Sequence, residues 1–298
     1  MSGQLKEVRE RITSVNSTQQ ITKAMKMVSA SKLRRAQQAI TEMRPYADRL
    51  DTILKNILSN MEDGSGGSTF GVEREINSAL MIVVTSNRGL AGAFNTNVIK
   101  AAVAKIDEDY KSVKAAGRLT ILCVGKKGFD YFRKRYTDCT IVEEFVNLFE
   151  DLSFENVATV SQFAMDGFAD GTYDVVDASF SRFKNAGIQF AECEQFLPVA
   201  KIEAEPGESK SKTDYIFEPS NEELLKELIP TILQTTFQKY VLDTHASEHG
   251  ARMTAMDKAT ENANDMIKEL KISYNKARQE SITRELSEIV AGAAALGG

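Results

Sequence analysis

Each end of this chain carries a 41-residue stretch with no helix breaker: Gln4 to Arg44 and Ala251 to Ala291 contain neither Gly nor Pro. Glycine costs about 1 kcal/mol and proline about 3 kcal/mol in a helix interior. Both ends can therefore be long helices, whereas the middle holds most of the glycine, including the run Gly64-Ser65-Gly66-Gly67-Ser68. Boundaries near 61–75 and 205–220 follow. They divide the chain into an N-terminal helix (1–60), a central domain (75–218) and a C-terminal helix (221–298).

Apolar periodicity agrees with long helices. Leu5, Val8, Ile12 and Val15 recur at spacings of three and four, as do Ala36, Ala39, Met43, Tyr46, Leu50, Ile53 and Ile57. Met253, Met256, Thr260, Ala263, Ile267, Leu270, Tyr274 and Ala277 repeat the pattern near the other end. A seam recurring every ~3.5 residues asks for a partner helix. Its small and polar members make the contact looser than a leucine zipper. A run of about 57 residues at 1.5 Å each is roughly 85 Å long, more than a small domain is wide. The two helices are expected to pair as an antiparallel coiled coil, since one enters the central domain where the other leaves it. The C-terminal helix should then overhang by about 14 residues, on the order of 20 Å. Its end, Ile289–Gly298, has no charged or amide side chain. Ten residues are too few to cross a bilayer, which leaves a frayed tail or a tip seated in an apolar socket of another protein.

The middle reads as α/β. Strands are expected at Ala79–Thr85, Leu119–Val124, Tyr173–Arg182 and Ile188–Leu197, with helices over Asn95–Lys114, Phe129–Arg135 and Ser153–Asp170. Alternation of this kind gives a parallel sheet, and the last hairpin adds an antiparallel edge.

Common chemistries are absent from the pattern. The turn Ser86-Asn87-Arg88-Gly89-Leu90-Ala91-Gly92 supplies only G-x-x-G, short of the dinucleotide fingerprint, and no phosphate-cradling G-x-x-x-x-G-K-[ST] occurs. His245, Glu248 and His249 spell H-x-x-E-H, but a metal site needs a third ligand and a cleft. Solvated helix residues are the expectation there. Ser29-Ala30-Ser31-Lys32 spells S-x-x-K without the K-T-G that should follow. Residues 1–60 carry a net charge of +6, against −8 for 61–220 and −3 for 221–298. The basic run Lys23, Lys26, Lys32, Arg34 and Arg35 has few aromatics beside it and an acidic chain around it. Acidic loops of a protein partner fit it better than nucleic acid does. Three cysteines without metal or redox spacing, no long apolar run and an N-terminus without an apolar signal core predict a soluble cytoplasmic protein.

Several blocks are recognisable as they stand. Ile21-Thr22-Lys23-Ala24-Met25-Lys26-Met27-Val28, continuing through Gln37, resembles the N-terminal signature of the gamma subunits of rotary ATP synthases. Ala251–Ala263 and Tyr274-Asn275-Lys276-Ala277-Arg278-Gln279-Glu280-Ser281-Ile282-Thr283 resemble their C-terminal helix. The resemblance extends to Ser86–Gly92 and Tyr215–Pro219, and so runs the whole length. It implies a central Rossmann-like domain and a rotor stalk of a proton-translocating, bacterial-type enzyme. One copy would turn within a hexamer of three alpha and three beta subunits, in contact with epsilon and the c ring. Mg-ATP and the catalytic residues would belong to the partners, leaving this chain non-catalytic, without a cofactor of its own, and peripheral to the cytoplasmic face of the inner membrane.

By the same resemblance Arg278, Gln279 and Thr283 match beta-subunit contacts. Met25, flanked by Lys23 and Lys26, matches a coupling-sensitive methionine expected near the level of Arg278. Leu286, Ile289, Val290 and Leu296 fall on the apical bearing, and Tyr215 and Glu218 near the c ring and epsilon. A coiled-coil adaptor without motor function is the alternative. The redox loop of chloroplast-type members is missing, since Thr172–Gln195 holds only Cys193.

Overall fold

The computed structural model describes residues 3–60, 69–199 and 221–296. Helix α1 covers Gly3–Asn60 and helix α6 covers Asn221–Leu296, 58 and 76 residues. Both run on through a proline, Pro45 in α1 and Pro230 in α6, and α6 also passes through Gly250. Between them lie strands β1 (Ala79–Val84), β2 (Leu119–Val124), β3 (Thr140–Val142), β4 (Val175–Asn185) and β5 (Ile188–Leu197), and helices α2 (Phe94–Asp109), α3 (Lys111–Ala115), α4 (Lys126–Arg135) and α5 (Phe154–Ala169). The chain divides into two compact units: residues 1–30 with 252–298, and residues 31–251.

The first unit is the paired ends of α1 and α6. Gln19 bonds Asn264, Thr22 meets Thr260 at 2.8 Å, and Lys26 meets Asp257 at 2.5 Å. As one number rises the other falls, so the helices are antiparallel, and each pair adds to 282 or 283. That register sets Leu5 level with Ala277, Val8 with Tyr274, Ile12 with Leu270 and Val15 with Ile267. These are the seam residues that periodicity predicts. Leu5, Thr22, Ser29, Met256, Ala263, Ile267, Ala277 and Ser281 are buried. Small and hydroxyl side chains at the seam let two backbones run close.

The second unit is a five-stranded sheet of order β3-β2-β1-β4-β5, parallel except for the antiparallel β4–β5 pair. Strand side chains alternate between two cores. Leu80, Ile82, Val84, Leu122 and Val124 pack with α5 and the first part of α6, where Ile232, Phe237 and Val241 are buried. Ala79, Met81, Val83, Ile121 and Cys123 pack with α2 and α4 through Val98, Ala102, Ile106 and Phe132. A sheet covered on both faces explains why β1 is buried at every position.

The structure differs from expectation in a few places. The sequence reading has no counterpart of β3, which is only three residues long. The helix expected over Asn95–Lys114 breaks at Tyr110, where φ is −115 and the buried phenol turns in to bond Asp177. In the second half of α1 the inner face holds Leu33, Ala36, Ile40 and Ala47, and Tyr46 is exposed rather than on the seam. The face is set there by the sheet and by α6 together, and small residues allow the close approach.

Candidate functional site

Polar rungs cross the paired helices at the level of the Ile21–Val28 block. The Thr22 hydroxyl is also 3.0 Å from the Gln19 carbonyl and that of Thr260 2.7 Å from the Met256 carbonyl, so one hydroxyl donates to its own helix and the other across the pair. The Lys26–Asp257 pair is about half exposed on both sides, which makes it worth little on its own. Met25 is half-buried beside it, and Lys23 is exposed. Ile21, Met27 and Val28, 58–62% exposed, point away from the seam. Ile21 and Val28, seven residues apart, share one outward stripe of the helix, and Met27 lies to its side. Sequence periodicity passed over them, although a seam at three-and-four spacing excludes them from its inner face.

Arg278 and Gln279 are exposed just beyond buried Ala277, and Thr283 hydroxyl bonds the Gln279 carbonyl at 2.9 Å. The register places Arg278 level with Gln4 and Leu5, and Met25 level with Asp257 and Lys258. The expectation of a common level for Met25 and Arg278 is therefore wrong. They lie about 20 residues apart along the pair, roughly 30 Å, because an antiparallel partner sets levels by the sum of residue numbers. The two groups of residues occupy two levels of the helix pair rather than one.

Since Gly3 is level with residue 280, α6 continues beyond the start of α1 from Ser281 to Leu296. This overhang is slightly longer than periodicity predicts. Leu286, Ile289 and Val290 on it are 58–70% exposed, as is Ile282 at 51%. Leu296 ends the helix. Tyr215 and Glu218 lie outside the described residues.

The loop after β1, Ser86–Gly92, is pinned to the starts of α2 and α4, with Asn87 Oδ1 accepting the Lys126 N–H at 3.1 Å. Asn95 Oδ1 accepts from the Ser86 N–H at 2.9 Å, and the Ser86 hydroxyl donates to the Arg88 carbonyl at 2.7 Å. Leu90 there is 64% exposed at φ 61, a backbone setting uncommon for its residue type. At the end of β2, Gly125 has φ 95, and a Cβ on it would sit 2.1 Å from the Thr85 carbonyl oxygen. Thr85 Oγ1 accepts the Gly128 N–H at 2.8 Å and so fills the place where β1 and β2 end. This tight closure is consistent with the missing dinucleotide fingerprint.

His245 and His249 lie with their Nε2 atoms 3.0 Å apart, His249 and Glu248 are buried, and Phe149 stacks on His245. They belong to the core, not to a solvated helix face, because α6 is covered on several sides there. No group of three His, Cys, Asp or Glu is arranged to hold a metal ion among the described residues. Among them, too, no helix is long and apolar enough to cross a membrane.

Comparison with known proteins follows the whole chain. The sequence model of the family described as ATP synthase matches residues 4–296. The ATP synthase gamma chain of Cytophaga hutchinsonii is 52% identical, with 98% of each chain covered. That of Christiangramia forsetii is 50% identical over 99% of each, and that of Chlorobium phaeobacteroides 43% over 99% of each. Among solved structures, a chain of the Euglena gracilis mitochondrial ATP synthase (OSCP/F1/c-ring, rotational state 3) superposes with a TM-score of 0.68. It is 22% identical, with 99% of this chain and 95% of that chain covered.

Proposed function

Because the chain belongs to the ATP synthase gamma chain family, we propose that its paired helices turn inside a hexamer of three alpha and three beta subunits. It is a non-catalytic subunit of the proton-transporting ATP synthase and its central rotor stalk. One copy serves each hexamer, with epsilon and the c ring as its further partners, at the cytoplasmic face of a bacterial inner membrane. Mg-ATP is bound by the partner subunits. The division of labour follows the three segments: 1–60 and 221–298 form the axle, and 75–218 with Tyr215 and Glu218 faces the c ring and epsilon.

The observation that carries this reading is the end of α6, which among the described residues has no helix beside it. Most helical stability in proteins comes from packing of one face, which that end lacks among the described residues, and exposed Leu286, Ile289 and Val290 gain nothing in water. A socket in a surrounding ring accounts for both, with Leu296 at its far end. An uncharged tip can turn in such a socket without breaking ion pairs at each step. Lower down, Arg278, Gln279 and Thr283 meet a beta-subunit loop. Lys23, Met25 and Lys26 meet another region about 30 Å away along the axle. Exposed charges suit contacts that must release, since each is worth about 0–1 kcal/mol.

Co-expression with the host's alpha and beta subunits tests this, through the mass and ATPase activity of the complex. One copy per hexamer is expected, with turnover that collapses when the chain is omitted. A chain that stays alone, or joins without altering turnover, would return the reading to a coiled-coil adaptor.

A further inference from the structure

Strand β4 outruns its neighbour. β1 pairs with Val175–Ser179 only, while β4 continues to Asn185 with β5 on its other side. Among the described residues, no strand lies beside one edge of β4 from Ser181 onward, and its backbone groups need partners.

Side chains from the two long helices supply them. The Ser181 N–H donates to Thr244 Oγ1 at 3.2 Å, and its carbonyl accepts from the Ser247 hydroxyl at 3.1 Å. Two residues on, the Phe183 N–H donates to Asp243 Oδ1 at 3.1 Å, and its carbonyl accepts from Arg44 Nη2 at 2.5 Å. The same Arg44 nitrogen lies 2.5 Å from Asp243 Oδ1. Asp243 is fully buried and Arg44 about two-thirds so. Four side chains thus stand in for a missing strand, three from α6 and one from α1. Further along, Gly250 lets the hairpin pass close to α6, where an added Cβ would meet Ala186 Cα at 3.2 Å.

Interdigitated apolar packing between the sheet and α6 already resists sliding. Hydrogen bonds to a strand backbone add a directional restraint, fixing position along the edge and around it at once. The buried Arg44–Asp243 pair adds register rather than stability. We propose that Arg44, Asp243, Thr244 and Ser247 form a torque key, the positioning residues through which the sheet domain and the stretches of the two long helices in the same unit, residues 31–60 and 221–251, turn as one body. The proposal rests on the rotor reading above.

The test uses the assembled complex with an optical probe on the α/β domain and the hexamer stalled without ATP. The double variant Thr244→Val/Ser247→Ala removes both tethers of Ser181 without exposing a buried charge. It leaves two buried backbone groups unpaired, so its melting temperature is expected to fall while it still assembles, and the angular variance of the probe rises about twofold, since half of the four tethered backbone groups are released. Arg44→Met/Asp243→Leu removes the other half together with the buried charges and carries the same expectation. Where it fails to assemble, the first variant decides. Asp48→Asn, which breaks the exposed Lys239–Asp48 pair between the same helices, should leave the variance unchanged. Native variance in Thr244→Val/Ser247→Ala, or an equal rise in Asp48→Asn, overturns the torque key alone. A native probe that does not turn with ATP overturns the rotor reading and the key with it.

Discussion

Single residues in this chain are constrained very unevenly. Gly125→Ala would drive a Cβ into the Thr85 carbonyl at a backbone angle that disfavours side chains. A loss of roughly 4 kcal/mol or more, visible as failure to accumulate folded chain, is expected. Gly292 has nothing within 4 Å, so Gly292→Ala should instead stabilise its helix by about 0.5–1 kcal/mol, read as added helicity by circular dichroism. Tyr110 presents a third kind of constraint. Its hydroxyl bonds Asp177 Oδ2 at 2.7 Å, and Asp177 Oδ1 has no partner. Tyr110→Phe should cost about 1–3 kcal/mol in urea unfolding, because it strips a buried carboxylate of its hydrogen bond. Burial holds the Asp177 carboxyl above its usual range, while the Tyr110 bond and the Lys105 charge oppose the shift. A folded value above the unfolded one gives stability that is full at acid pH and lost as pH rises through the folded value. The stability of Asp177→Asn relative to native should therefore improve as pH rises from 3.8, the ordinary value of the carboxyl, toward neutrality. A flat difference across that range would contradict the assignment.

At the scale of elements, what could be read from sequence was local pattern. The seam of α1 and α6 in the first unit follows from spacings of three and four, the two buried central strands from short unbroken apolar runs, and the closing hairpin from the turn at 184–187. What could not be read depends on partners distant in sequence. β3 is three half-exposed residues with no pattern to find, and Tyr110 breaks a helix for the sake of an aspartate 67 positions away. His245 and His249 look like surface residues until α6 is known to be covered on several sides. The ring of Arg44, Asp243 and Phe183 joins residues up to 199 positions apart, so no local motif announces it. Among the candidate site residues, identities came from resemblance and heights along the axle came only from register. The same register predicts that ending the chain at Ser281 leaves the helix pair intact. Helicity should fall only by the residues removed, with the melting temperature shifted by less than about 2 °C. By contrast Ile40→Ala, at a fully buried position in α1, should cost about 2–5 kcal/mol.

For the whole molecule, coupling is the property to measure. Met25→Lys adds a cation beside the exposed Lys26–Asp257 pair, on a half-buried position that tolerates a long side chain. Proton pumping per ATP should fall in the assembled enzyme while the melting temperature of the chain holds. Unchanged pumping would remove Met25 from the coupling surface. The antiparallel pairing also has a consequence in time. Thr22 and Thr260 lie 238 residues apart, with the entire sheet domain made between them. At roughly 5–20 residues per second, a ribosome that has just released the first half of the axle needs on the order of 10–50 s to deliver the second. Throughout that interval Leu5, Val8, Ile12 and Val15 have no opposite number. The first stretch synthesised is therefore among the last to reach its final state. A nascent chain halted just short of Arg252 would carry a finished sheet domain and a sticky, unsatisfied leader, the form in which a holding chaperone would meet it.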